Sequence, residues 1–384
     1  MHKVSFLLET ITPLFISGAD KRGVELHPSA FKGMMRFWWR AVRAESNIEN
    51  LWEEEAKIFG AADEKFGRSR VGVQLLYSEL PKCNSLWEEI PYEKKQTKKG
   101  KTFKNPTKYL GLSYLLYSVF RHEKNIRPFL KVDSEFKVVL SSYDEKILQH
   151  VICAFWCLIY FGGIGTRSRR GGGNLAVKEI LEGKDFVKKI GVNFQLSGIK
   201  SKSELKQWIE KNFFQIKKTI NRAHNTFLEY SSLQNAILYI FSPQQDWKSA
   251  LDVIGKPYQR FREQNKAKLF VSPHFGMPVI HQRGKTRLVP YDKDNKRISD
   301  RRASPVIFKL IKTKDKVFFP VILWLSGAIV YRGKIVKETK PWPKGLKEQQ
   351  KIATQESNYQ VENNEVIKSF FENYLKNYEQ LILQ

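Results

Sequence analysis

"DEKILQHVICAFWCLIYFGGIGTRSRRGGGNLAVKEI", residues 144–180, decides the reading of the fold. It opens as a strongly apolar helix, which Gly162 and Gly163 end. It then turns through a glycine-framed arginine cluster and resumes as a strand, "NLAVKEI". Upstream, "EFKVVLSS" (135–142) and "RVGVQLLYS" (70–78) read as strands. "KVSFLLET" (3–10) alternates Val4, Phe6 and Leu8 on one side, a third strand pattern. Between the first two of these in chain order, "SAFKGMMRFWWRAVRAE" (29–45) reads as a helix with Ser29 as N-cap behind Pro28. "NLWEEEAKIFG" adds a short helix that stops at Gly60. Insertions aside, residues 3–180 run β-α-β-β-α-β, the ferredoxin-like order: an antiparallel sheet with both helices on one face.

From residue 190 a second α-plus-antiparallel-β set follows. "VNFQLSG" (192–198) reads as a strand, and "SKSELKQWIEKNFFQIKKTI" (201–220) as a helix with Ser201 and Glu204 in capping-box spacing. "NAILYIF" (235–241) reads as a strand, and "DWKSALDVIGKPYQRFREQ" (246–264) as a helix interrupted at Pro257. "SPVIFKLIK" and "KVFFPVILWLSG" form a hairpin across Thr313 and Lys314, and "EVIKSFFENYLKNYEQLILQ" (365–384) reads as one amphipathic helix. The expected class is α+β: two ferredoxin-like (RRM-like, βαββαβ) domains with insertions and a C-terminal helix. The expected divisions are residues 1–188, 189–340 and a helical tail over 341–384.

Lys plus Arg number 66 against 39 Asp plus Glu, a formal net charge of +27, which favours a polyanionic partner. The N-terminus breaks its apolar stretch with charge, unlike a signal peptide, and no apolar run reaches membrane-spanning length. Three cysteines build no disulfide framework, so a reducing cytoplasm is expected, and Cys153 and Cys157 read as core residues. No metal or cofactor motif is present.

The charge is concentrated in places. Projected at about 100° per residue, the first helix puts Phe31, Met34, Met35, Trp38, Ala41 and Val42 on one face. Lys32, Arg36, Arg40 and Arg43 fall nearly opposite. Like charges at that spacing repel, so a stripe with no acid calls for an outside anion, and a phosphate backbone supplies one. Trp39 borders the stripe, either stacking on a base or packing against a neighbouring helix.

The arginine loop offers Arg167, Arg169 and Arg170 as forked donors, with Ser168 among them. Gly163, Gly165, Gly171 and Gly172 let backbone approach a ligand closely, and successive N–H groups in such a loop cradle anions. It is neither a Walker A loop nor a Rossmann fingerprint, because a helix precedes it and a strand follows. Arg68 and Arg70 in "FGRSR", Lys21 and Arg22 in the loop before the first helix, and Arg301 and Arg302 in the basic stretch 282–302 extend the chemistry. That last stretch reads equally as a charged solvent loop. "KKQTKKGKTFKNPTK" (94–108), inside an insertion spanning about 80–132, carries seven lysines and no acid, as a surface loop or a backbone-gripping flap.

"TPLFISGAD", "LHPSAFKGMMRFWWRAV", "IFG", "GRSRV", "GGIGTRSRRGGGNL" and "DRRASPV", in that order, resemble the RAMP proteins of CRISPR systems. In detail the pattern is similar to the first subunit of type III-B (Cmr) effector complexes. The resemblance covers most of residues 5–180 and reappears at 301–306. It implies two ferredoxin-like domains and a non-catalytic subunit at the end of a ribonucleoprotein assembly near the guide RNA 3′ region. It also implies neighbouring RAMP subunits and single-stranded guide or target RNA as partners. The family's basic first-helix positions fall on Lys32, Arg36 and Arg40, and its glycine-rich loop on residues 162–173.

Two other readings compete. Some RAMP relatives cleave RNA without metal, and His27, before the first helix, is the one histidine beside the expected groove; a lone Asp20 or Asp63 is an ordinary solvated loop acid. A basic scaffold docking an acidic protein is the third reading.

Overall fold

The computed structural model describes every residue except 19–22, 98–99, 121–126, 224–227, 282–283, 300, 329, 331–332, 344, 356–358 and 361–363. The chain begins with β1 (His2–Thr10), α1 (Pro28–Arg43), α2 (Ile48–Phe59) and β2 (Gly72–Leu76). An insertion follows: β3 (Lys82–Cys83), β4 (Tyr92–Gln96), β5 (Thr102–Pro106), α3 (Leu110–Leu116) and β6 (Phe129–Leu130). β7 (Glu135–Ser142), α4 (Glu145–Phe161) and β8 (Leu175–Glu182) close the first sheet, ordered β2-β7-β1-β8 and antiparallel throughout. Val4, Phe6 and Leu8 project from one face of it into the core, where the ring of Phe6 lies 4.9 Å from that of Phe155 in α4.

α5 (Lys184–Ile190) and α6 (Lys202–Ile220) lead into the second half, α6 opening with the capping box of Ser201 and Glu204. Residues 192–198 are not a strand. Two of their carbonyls go instead to side chains of α4: Trp156 Nε1 donates to Asn193 and the Tyr160 hydroxyl to Phe194.

β9 (Ser232–Phe241), α7 (Trp247–Gln264), β10 (Val279–His281), β11 (Thr286–Tyr291), β12 (Val306–Lys312), β13 (Phe318–Ser326), β14 (Lys334–Thr339), α8 (Leu346–Gln355), β15 (Tyr359–Gln360), α9 (Glu365–Tyr374) and β16 (Tyr378–Leu383) complete the chain. One sheet is ordered β12-β13-β9-β16 and a smaller one β10-β11-β14-β15. The larger repeats the strand order of the first sheet, with α7 and α9 as its two helices. α7 is continuous through Pro257, because Ile254, Tyr258 and Phe261 on either side are buried together. The hairpin β12–β13 turns over residues 313–317, a wider loop than a two-residue turn.

The C-terminal segment is not one helix. α9 ends at Tyr374, Asn377 takes a left-handed φ of 59°, and β16 then pairs antiparallel with β9 along its whole length. Residues 365–383 are therefore part of the second sheet unit and not an appended tail. Nor does Ser29 cap α1: His27 occupies that position without a side-chain bond, and Pro28 opens the helix.

The layers interlock. Leu238, Ile240, Ile307, Ile311 and Leu323 on one face of the second sheet share a core with α1, α4 and α6. Phe371 of α9 stacks on Tyr239 from the other face, with centroids 4.1 Å apart. The order is sheet, helices, sheet, helices. The insertion is folded and bound to the second half, since α3 crosses α7 where Gly111 and Gly255 meet backbone to backbone. A Cβ at Gly111 would lie 2.2 Å from the Lys256 nitrogen. Asp252 of α7 caps α3 by accepting the Gly111 N–H at 2.7 Å.

Lys309 of β12 lies within that shared core, 1% exposed, and its Nζ has no hydrogen-bond partner among the described residues. Burial pulls its amine down to about 7. In the unfolded chain a lysine titrates near 10.4. From about pH 7 to 10 the unfolded state therefore binds the extra proton, and stability should rise with pH in that window. Lys309→Met should be more stable than the parent at pH 7 and should lack the rise, read by urea denaturation at stepped pH. The same rise in the variant would mean that Lys309 does not cause it.

Cys83, Cys153 and Cys157 are buried free thiols, and burial pushes Cys153 up to about 12. Among the described residues no cluster of side chains could hold a metal, and no helix is long and apolar enough to cross a membrane.

Candidate nucleic-acid interface

The cationic stripe of α1 is present, but it has acids against it. Glu55 of α2, its side chain 4% exposed, lies between Arg36 and Arg40 and accepts hydrogen bonds from both. Arg43 forks onto Glu54 at 2.7 and 3.0 Å and donates to the Asn221 carbonyl. Lys32 alone in the stripe has no ion-pair partner among the described residues; burial, then Arg36, holds its amine below the usual range. Most of the repulsion that called for an outside anion is thus relieved within the fold. Trp39 is 1% exposed and donates its indole N–H to His150 Nδ1 at 3.1 Å, so it packs and offers no stacking surface. Arg68 and Arg70 are exposed in the turn before β2, and Lys21, Arg22 and Asp20 lie outside the described residues. His27 Nδ1 sits 3.5 Å from Glu25, and Asp63 closes a solvent-facing turn.

The glycine-rich loop folds back on residues 13–15. Thr166 N–H donates to the Phe15 carbonyl at 2.7 Å and Gly173 N–H to Pro13 at 2.9 Å. Gly165, with φ +82°, is needed there, because a Cβ would stand 2.4 Å from the Phe15 oxygen. Ile164, Arg170 and Gly172 also spend their N–H groups on backbone carbonyls, so the loop is no continuous cradle of free donors. Gly163 and Gly172 pack on the loop's own backbone, and Gly171 faces Leu251 of α7.

The three arginines separate by role. Arg170 is 9% exposed and pins the loop to the second half of the chain. It donates to the carbonyls of Val306 and Phe275 at 2.9 and 2.7 Å, to Ser304 Oγ at 3.2 Å, and to the Tyr258 hydroxyl at 3.4 Å. It is consumed by structure and is not free to grip phosphate. Arg169 donates to the Ser304 carbonyl and lies over the Phe37 ring of α1 at 4.8 Å. Arg167, at a left-handed φ of 67°, lies 5.0 Å over Tyr117, and its Nε has no partner among the described residues.

Together these residues line an open cleft of about 1030 Å³ between the loop, the insertion, α7 and residues 275–280 and 301–304. Its cations are Arg167, Arg169, Arg170, Arg262, Lys266, Arg301 and Arg302, with Ser168 among them and Glu263 as the opposing acid. Arg301 is exposed. Arg302 is held by the Ser231 hydroxyl and the Ala328 carbonyl. Burial first, then neighbouring guanidinium groups, brings Arg167 and Arg169 down to about 10. Burial pushes the Tyr258 phenol up, yet Arg170, Arg262 and Arg167 outweigh it and hold it below its ordinary value. The potential in the cleft is strongly positive. An anion entering it gains Coulomb energy and forked hydrogen bonds, and the tyrosines add ring faces.

Tyr114, Tyr117, Tyr258, Arg262 and Lys266 escaped the sequence reading. Tyr114 and Tyr117 come from the insertion, expected to be a surface loop or a backbone-gripping flap, and Tyr258, Arg262 and Lys266 from α7 and the turn after it, expected only as a helix; the mixed basic and aromatic run "PYQRFREQNKAK" is the signal for the latter three.

Residues 7–176 match the RAMP superfamily. The CRISPR system Cmr subunit Cmr1-2 of Pyrococcus furiosus is 34% identical over 195 residues, covering 47% of this chain and 98% of the relative. Cmr1-1 of the same organism is 23% identical over 327 residues, 84% of this chain and 87% of the relative. The crystal structure of apo Cmr1 from Pyrococcus furiosus matches at a TM-score of 0.63 and 19% identity, covering 100% and 99% of the two chains. A chain in a cryo-EM structure of the type III-B Cmr-beta complex bound to cognate target RNA matches at 0.53 and 15%, covering 91% and 98%. At such identities the structural matches speak for the fold. With the sequence relatives they lead to one assignment: the chain belongs to the RAMP superfamily, among the Cmr1 subunits of CRISPR Cmr systems.

Proposed function

We propose that this chain is a non-catalytic, single-stranded-RNA-binding subunit of a type III-B (Cmr) effector complex, working in the cytoplasm beside other RAMP subunits and contacting guide or target RNA. Its two sheets then belong to two ferredoxin-like units, the second formed by β9 through β16 with the smaller sheet inserted. The observation that carries the reading is the cleft, where seven cations face Glu263 and tyrosine rings lie among the guanidinium groups. That pairing suits phosphate and unstacked bases, and it reads no base edge, so binding should be indifferent to sequence.

Catalysis by His27 has little to support it. Metal-free cleavage needs an acid and a base at the phosphate. The neighbour of His27 is the carboxylate of Glu25, and His150, the histidine bonded to α1, is half-buried against Trp39. Labelled single-stranded RNA incubated with the protein should stay full length on a denaturing gel, and His27→Ala should change nothing. Fragments that disappear in the His27→Ala protein would overturn the non-catalytic reading.

A further inference from the structure

The insertion carries a second charged feature that the cleft does not include. Among the described residues β4 and β5 pair only with each other, in register Lys94 opposite Lys104 and Lys95 opposite Phe103, and β4 is exposed along its whole length. Residues 92–108 hold seven lysines against Glu93. Like charges directly opposite one another destabilise a two-stranded ribbon that is marginal to begin with. The ribbon is instead held at its root. Lys104 lies 4.4 Å over Tyr92, whose ring meets the buried Trp87 edge-on at 5.2 Å, and Asn105 donates to Glu93.

One face of the ribbon has a composition that points to its ligand. Side chains alternate along a strand, so Phe103 shares its face with Lys101 and with Lys95 opposite. Phe103 is 43% exposed. Lys95 is held at 2.9 Å by Glu93, the one acid on the arm, toward its root. An exposed ring between lysines suits a stacked base with phosphates on either side, and offers little apolar surface to a protein. The ribbon also adjoins the cleft. Tyr114 lines the arginine cleft and also a cavity of about 460 Å³ at the ribbon's root, beside Asn105 and Pro106.

We propose that the β4–β5 ribbon is a second single-stranded-RNA contact, continuous with the cleft, in which Phe103 stacks on a base while Lys95 and Lys101 hold flanking phosphates. This rests on the RNA-binding reading of the cleft and extends it to strands long enough to reach the arm.

The test is fluorescence anisotropy of a labelled oligouridine spanning cleft and ribbon, across a salt series, with the full chain. Replacing Lys95 and Lys101 together by alanine should lower the salt slope by about 1.4, at roughly 0.7 per lost phosphate contact. Phe103→Ala should weaken binding about fivefold or more while leaving that slope in place. These side chains are exposed, so circular dichroism melting of both variants should match the parent. If the parent binds and both variants bind as it does, the ribbon inference falls and the cleft reading stands. If the parent shows no salt-dependent RNA binding, both fall. Unchanged RNA binding together with lost assembly onto partner subunits would assign the arm to protein and overturn the proposal.

Discussion

Arg170→Ala should cost about 4 kcal/mol of stability or more, an unusually large loss for one side chain. The guanidinium is buried and donates to two buried carbonyls, Val306 and Phe275, besides Ser304 and Tyr258. Hydrogen bonds from a charged group contribute about 1.5–3 kcal/mol each, and every interior acceptor left without a donor costs about 1–3 kcal/mol. The ring faces of Tyr258 and Phe308, 5.2 and 5.3 Å from its carbon, are lost as well. Against a total of roughly 5–15 kcal/mol such a loss approaches unfolding. Lysine should restore little, because one ammonium does not span both carbonyls. Arg167→Ala, three residues earlier in the loop, should stay within about 1 kcal/mol of the parent, since its main contact is the ring of Tyr117. Urea denaturation followed by tryptophan fluorescence separates the two. Equal stabilities for the Arg170 and Arg167 variants would remove Arg170 from the role of pin.

Replacing Arg36 and Arg40 together by alanine should cost about 3–5 kcal/mol, through Glu55 and not through the arginines themselves. Both guanidinium groups are about a third exposed, at 34% and 36%, whereas the carboxylate between them is 4% exposed. Taking away both partners leaves a buried charge with nothing to balance it, the expensive way to break such a cluster. Glu55→Gln, leaving two partly solvated cations, should cost clearly less. Converting Arg36, Arg40 and Glu55 together to apolar residues of similar size should recover most of the loss. The signature is non-additivity: the triple variant more stable than the double, measured by chemical denaturation. A double variant within about 1 kcal/mol of the parent would mean that solvent, and not the arginines, balances Glu55.

Both effects show where reading the chain residue by residue stopped. Alternation in β1, the apolar run of α4, the capping box of α6 and the β12–β13 pair are local signals, and each appears as its pattern indicates. The stripe on α1 was equally local, but its counter-charges, Glu54 and Glu55, sit on the next helix and meet it only when α2 packs down. Trp39 projects to the edge of a helical stripe, and only the approach of α4 with His150 decides that it is covered. Arg170 resembles its neighbours in sequence, and its separate role comes from residues more than a hundred positions away. In the C-terminal segment "YEQLIL" alternates as a strand does, yet it continues a helical pattern, so the break at Asn377 carried the information. The insertion was legible as basic but not as folded, since its helix α3 depends on Asp252 and Gly255 of α7.

The claim that the arginine–tyrosine cleft binds RNA backbone is tested most directly by the salt dependence of single-stranded RNA binding. The parent protein should be compared with a variant carrying Arg167→Ala and Arg262→Ala, both confirmed folded. The parent should bind with a steep salt dependence, and the variant's slope should be lower by about 1.4, at roughly 0.7 per phosphate contact. Equal slopes in the two proteins would contradict the claim and move the RNA site off this cleft.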